Sequence, residues 1–200
     1  MAVRSTILAL LFAIASVPGC DSVDEKTREE ARKAGINAQG AEELAKMEMT
    51  PEEMTAIGRA KKAGVDDASI MKMVKALHKA DLRFDIGMDL ELLVGQGVNA
   101  TTLTQLVELG AIPRMTDDIR ALKESGVGEV ALVEIAKIRF EKKKDILSGS
   151  EYARLRSAGL SDVGLLTFVR NGGNAQQLQS IARDLALGKS EQEALKGAGM

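Results

Sequence analysis

Few side chains in this 200-residue chain are chemically reactive: one cysteine, Cys20, and one histidine, His78. His78 stands in Lys75-Ala76-Leu77-His78-Lys79, with no second histidine or cysteine near it. The spacing therefore predicts a surface or partly packed imidazole rather than a zinc ligand, and no metal or cofactor is expected. His-Glu-x-x-His, P-loop and nucleophile-elbow motifs are absent, so no residue is assigned a catalytic role. The paired carboxylates Glu52-Glu53 and Asp117-Asp118 fall in expected first helical turns, where the helix dipole already favours acids. The densest run of bases is Lys137-Ile138-Arg139-Phe140-Glu141-Lys142-Lys143-Lys144, expected on a helix. Lys137, Arg139, Lys142, Lys143 and Lys144 are candidates for contact with anionic lipid headgroups, at about 1 kcal/mol per base near the surface. The competing reading of the run is an ordinary solvated helix face.

Composition narrows the classes further. A formal net charge of -2 gives no bias towards polyanions, and aromatic residues are only 2% of the chain, so nucleic acid is not an expected partner. A lone cysteine makes no internal disulfide, which leaves the fold to be held by packing and leaves Cys20 to be explained.

Residues 1–19 place a single cation, Arg4, before an apolar run from Ile7 to Val17. That run is too short to span a bilayer of roughly 30 Å as a helix and has the length of a signal-peptide core. At its end, Val17-Pro18-Gly19-Cys20 resembles the lipobox of bacterial lipoproteins. The resemblance implies cleavage before Cys20, acylation of Cys20 by palmitate-type chains, and a mature chain of residues 20–200 anchored to a membrane. Asp21 resembles the aspartate that retains enteric lipoproteins in the inner membrane, which favours that membrane over the outer one. A periplasmic or extracellular-facing anchored protein is the expected location.

The elements behind these residues are set by a glycine series: Gly35, Gly64, Gly97, Gly126, Gly159 and Gly188. The steps are 29, 33, 29, 33 and 29, so the larger unit is 62 residues. Asn37, Asp66, Asn99, Gly128, Ser161 and Ser190 follow two residues later, types favoured at a helix N-cap. Each glycine is thus expected to close one helix in a left-handed turn while the cap opens the next. Apolar positions recur on one helical face after each glycine, as in Ile70, Met73 and Val74 or Leu165, Phe168 and Val169. Another stripe precedes each glycine, through Ile57, Leu90, Ile119, Tyr152 and Ile181. Pro51 and Pro113, and Gly87 and Gly149, are also 62 apart. Residues 22–34 read as one more helix, opened by Ser22 and Glu25, which makes any lipid tether very short.

A two-helix unit with one stripe per helix buries both only against neighbours. The expected fold is all-α, a short solenoid of stacked two-helix repeats, with a compact helical bundle as the alternative. From Gly97-Val98-Asn99 through Leu109-Gly110 to Gly126-Val127, the unit resembles the "GVTPEYIRELRALGY" repeats of bacterial envelope proteins. The 33-residue copies depart from that pattern. Ser161 to Leu185, with Asn171-Gly172-Gly173, is similar to a single TALE-like repeat, and the other units have no such Gly-Gly loop. The resemblances imply fold and envelope context. They lead to the expectation of a non-enzymatic interaction module with an envelope protein as partner; a cell-wall enzyme or enzyme regulator, or an immunity or exclusion lipoprotein, are the alternatives.

Overall fold

The computed structural model describes residues 20–143 and 146–200. The leader, residues 1–19, and Lys144 of the basic run lie outside the described residues. Among the described residues all regular structure is helical, in six hairpins. The first pairs α1 (Cys20–Lys33) with α2 (Ala38–Ala45), the second α3 (Pro51–Lys62) with α4 (Asp67–Lys79), and the third α5 (Gly87–Gly95) with α6 (Ala100–Glu108). Then follow α7 (Thr116–Glu124) with α8 (Glu129–Phe140), α9 (Gly149–Ser157) with α10 (Asp162–Arg170), and α11 (Ala175–Ala186) with α12 (Glu191–Gly197). Every extensive contact joins helices one or two apart in chain order, so odd helices form one layer, even helices the other, and the hairpins stack in line. One continuous core, from Ala31 to Leu195, runs between the layers.

The six spaced glycines all have positive φ, between 77° at Gly97 and 102° at Gly64 and Gly159. At each, the next residue's N–H returns to a carbonyl five residues back, as Val65 to Ala60 and Leu160 to Leu155. This closing bond places Ile36, Val65, Val98, Val127 and Leu160 in the core, which is why an apolar residue follows the glycine. Asn37, Asp66, Asn99, Ser161 and Ser190 then cap the even helices through their side chains, and Gly128 caps without one.

The even helices end in a second left-handed series: Glu48, Asp81, Gly110, Lys143, Gly172 and Gly199. From each of the first five to the next spaced glycine is 16 residues. The alternation of 29 and 33 therefore lies wholly in the even helices: α4 and α8 have 13 and 12 residues, against 8 or 9 in α2, α6 and α10. Four residues are about one helical turn, so the added length leaves the buried face in phase.

In the odd layer, α5 crosses α3 and α9 crosses α7 at glycine. A Cβ on Gly87 would lie 2.5 Å from the Ala56 carbonyl oxygen, and one on Gly149 would come closer still to Asp118 backbone. Neither neighbour is a side chain that could turn aside.

The even layer is pinned by carboxylates at the first helical position. The N-cap N–H of one hairpin donates to the acid of the next: Asn37 to Asp67 at 2.9 Å, Asn99 to Glu129 at 2.9 Å, Gly128 to Asp162 at 3.0 Å and Ser161 to Glu191 at 2.7 Å. Lys61, Lys123 and Arg156 approach Asp67, Glu129 and Asp162 from the preceding odd helix. Arg156 Nε and Asp162 Oδ1 are 3.2 Å apart but misaligned for a hydrogen bond, and the guanidinium donates instead to the Leu160 and Gly126 carbonyls. Between α4 and α6 the acid is replaced by Ala100, and that rung is missing.

Candidate functional site

The stack has two long edges. At the glycine edge, where odd helices end and even helices begin, the N-cap amides of α2, α6, α8 and α10 are engaged by the rungs just described. The far edge collects the C-terminal ends of the even helices and the N-terminal ends of the odd ones. Because the rungs align the even helices at the glycine edge, the additional turn of α4 and α8 extends about 6 Å beyond their neighbours at the far edge.

The best-organised polar cluster lies at that edge. Glu53 is 3% exposed and belongs to the capping box of α3: its Oε2 accepts the Thr50 N–H at 2.9 Å. Its Oε1 accepts the Phe84 N–H at 2.9 Å and lies 3.0 Å from His78 Nε2. One carboxylate thus joins the start of α3, the last turn of α4 and the α4–α5 connection. Burial alone would raise the Glu53 pKa, but the Thr50 and Phe84 amides and His78 outweigh it and hold the carboxyl below its ordinary value. Glu48, Asp81, Leu82 and Arg83 complete a polar hollow of about 250 Å³ around it. Both Glu53 oxygens are occupied and the group is kept ionised, whereas a general acid needs a raised pKa. The arrangement is a fastening, and no group of three His, Cys, Asp or Glu suited to a metal occurs among the described residues.

Next to it a more apolar groove of about 430 Å³ runs between the α4–α5 and α6–α7 connections. Leu77, Ile86, Val107 and Ile112 form its floor, and Leu82, Arg83, Pro113 and Arg114 its exposed rim, with Asp85 and Glu108. Leu82 takes the place after a left-handed residue that Ala111 takes after Gly110. Ala111 is fully buried, yet Leu82 is 50% exposed. Neither Arg83 nor Arg114 has an ion-pair partner among the described residues.

The structure separates the other residues singled out above. Cys20 and Asp21 are the first two residues of α1, which starts at Cys20 rather than Ser22 and puts that end at the far edge. The basic run is not one helical face. Helix α8 stops at Phe140; Lys137 is half-buried, and Arg139 pairs with Asp118 of α7 at 3.1 Å and lies over the Phe140 ring. Lys142 and Lys143 are exposed beyond the helix end. Asp117 pairs locally with Arg120, while Asp118 accepts the Gly149 N–H at 2.7 Å, so these acids hold helices rather than substrate. The Asn171-Gly172-Gly173 loop also has a packing cause: a Cβ at Gly173 would collide with the Phe168 ring. Met49, Met54, Met71 and Met73 are core side chains, and Met88 alone of the early methionines is largely exposed.

The rung acids Asp67, Glu129, Asp162 and Glu191 and the buried Glu53 had no role assigned from sequence. A signal exists for the first set. An acid stands three residues after Gly64, Gly126, Gly159 and Gly188, and a base three before the first three of them. No helix among the described residues is long and apolar enough to cross a membrane. No protein-family model matches the chain and no curated protein matches it, so a functional reading rests on these residues alone.

Proposed function

We propose that the chain is a cell-envelope lipoprotein, cleaved before Cys20 and acylated there, whose helical stack is a non-enzymatic protein-interaction module facing the periplasm or cell exterior. The observation that carries this reading is exposed apolar surface left over beside the polar groups that fasten the hairpins. The rung acids of the glycine edge and the buried Glu53 are committed to holding hairpins together. Exposed apolar side chains that serve no such purpose, among them Met88 and Leu92 one turn apart on α5, are left for another molecule. An α1 that begins at Cys20 would hold the stack close to the bilayer, with an inner-membrane location favoured by Asp21.

Two measurements test this. Cells expressing the full chain and fed labelled palmitate should label it, and Cys20→Ser should abolish the label; equal labelling of both would end the lipoprotein reading. In-cell crosslinking through a photoreactive residue at Leu92 should give a discrete adduct with one envelope protein, lost on Met88→Asp. Absence of any adduct at Leu92 with the protein in place on the membrane would end the interaction reading.

A further inference from the structure

The hairpins meet at two kinds of seam. Helix α5 lies close along α3, and α9 along α7, where Gly87 and Gly149 bring backbone against backbone. These two seams are also bonded away from the glycine edge: Glu53 accepts the Phe84 N–H, Asp118 accepts the Gly149 N–H, and Glu134 pairs with Arg170 at 3.3 Å. The seam between the third and fourth hairpins is different. Helix α7 touches α5 only lightly, and no glycine brings their backbones together. Among the described residues, every side-chain hydrogen bond that joins these two hairpins ends on one carboxylate, that of Glu129. Its Oε1 accepts the Asn99 N–H at 2.9 Å; its Oε2 accepts from the Asn99 side-chain amide and, at 3.0 Å, from the Thr102 hydroxyl. Lys123 stands 3.5 Å from Oε1 and steadies the carboxylate from its own hairpin. Asp67 and Glu191, 62 residues before and after Glu129, take the same two donors, backbone and side chain, from Asn37 and Ser161. Those seams each have a single hairpin beyond them, whereas the Glu129 seam has three hairpins on either side. In the closely packed seams the two-donor grip is absent, because Ala100 supplies no acid and Gly128 has no side chain to offer Asp162.

We infer that the array is built on two stiff four-helix blocks, α3–α6 and α7–α10, that hinge at the seam between them, with Glu129 as the latch that holds the hinge closed. An interface with little apolar contact opens at lower free energy than a closely packed one, and blocks that keep their own packing move as rigid bodies about a few connecting residues. Here the pivot is the α6–α7 connection, residues 109–115, at the far edge, and the latch lies at the opposite edge. Release of Glu129 therefore lets the blocks swing about the connection and alters the curvature of the stack without unpacking any hairpin. This hinge requires neither an acyl chain nor a bound partner.

Spin-label distances test it. Cys20 is the chain's one cysteine, so the full chain with Cys20→Ser takes labels only where cysteines are added. Three pairs at exposed positions on neighbouring odd helices are compared: Arg59→Cys with Glu91→Cys inside the first block, Arg120→Cys with Arg154→Cys inside the second, and Glu91→Cys with Arg120→Cys across the seam. Against the parent, Glu129→Ala should broaden the cross-seam distance distribution and shift it to longer values, and leave both pairs inside the blocks unchanged. Alanine is the native residue at the equivalent position, Ala100, so the start of α8 accommodates it. Glu129→Gln keeps the side-chain volume but turns one of the two acceptors into a donor, and should move the cross-seam pair in the same direction. Asp162→Ala, which removes the rung of a closely packed seam, should leave the cross-seam distribution as it is in the parent. An unchanged cross-seam distribution in both Glu129 variants would overturn the hinge. So would equal broadening of all three pairs, which is general loosening, or the same cross-seam change from Asp162→Ala.

Discussion

Replacing Glu53 by glutamine probes the fastening at the far edge with almost no change of volume. The carboxylate accepts from two backbone amides and faces His78, and it is 3% exposed, so no water substitutes for a lost acceptor. Glutamine keeps one oxygen and turns the other into a donor. If the amide nitrogen takes the place of Oε2 it meets the Thr50 N–H; if it takes the place of Oε1 it meets the Phe84 N–H. Either way one buried donor is orphaned, at about 1–3 kcal/mol. The surviving bonds also lose their charge assistance, roughly half their strength, which adds about 1 kcal/mol. The total of about 2–4 kcal/mol corresponds to a lower Tm by about 5–15 °C for a chain of this size. Circular dichroism melts near neutral pH read the loss, and amide exchange at Thr50 and Phe84 reads its location. Acid gives an internal check. The folded pKa of Glu53 lies below the ordinary 4.5, so its charge contributes fully above that value and progressively less as pH falls through it towards the folded pKa. The gap between parent and Glu53→Gln should therefore close below that pH. A Tm within one or two degrees of the parent, or a gap that widens in acid, would refute the reasoning.

Other substitutions test separate parts of the stack. Gly87→Ala and Gly149→Ala force a methyl into backbone and should each cost about 1–3 kcal/mol in urea unfolding, whereas helix propensity alone would have alanine stabilise. Glu48 and Lys143 hold φ of 52° and 50°, so Glu48→Gly and Lys143→Gly should raise stability by about 0.5–1 kcal/mol; unchanged midpoints would show that the turns carry no strain. Ala100→Glu supplies the acid missing between α4 and α6, and should add about 0.5–1.5 kcal/mol and slow exchange of the Asp66 amide. Acidification should also loosen the glycine edge, because Asp67 and Glu129 are likewise held below their ordinary pKa. For Asp67 the first cause is the hydrogen bond from Lys61; for Glu129, amide and base contacts outweigh the opposing burial.

The all-helical repeat was legible because glycine, cap and apolar stripe act locally and each leaves a residue type at a fixed place. Gly64 in its left-handed turn, Asp66 at the next cap and Ile70 in the core are one such set. Interactions between hairpins were harder to read. Glu53 has the sequence context of any first-turn acid, and only the fold brings Phe84 and His78 to it across 31 and 25 residues. The basic run misled for a related reason. Its residues looked like one helix, but α8 ends at Phe140, and Asp118, 21 residues earlier, takes Arg139 out of the group. The exposure of Leu82 was equally hidden, since an apolar residue after a turn residue is buried at nearly every equivalent position.

The 29 and 33 spacing carries more than a fold signature. An added turn in every second even helix has to project somewhere, and rungs such as Asn37 to Asp67 and Gly128 to Asp162 hold the glycine edge in line. The projection is consequently confined to the far edge, at Asp81–Arg83 and Glu141–Lys143. Length differences that fall on one edge of a repeat array leave the packed interior unchanged while altering what that edge presents, and binding surfaces in such arrays concentrate where repeats differ. Here the glycine edge is held by cap-to-acid rungs while still exposing Val130, Val163 and Leu187, and the far edge carries the two projecting turns, with Leu82, Arg83, Lys142 and Lys143 exposed among Asp81, Asp85 and Glu141.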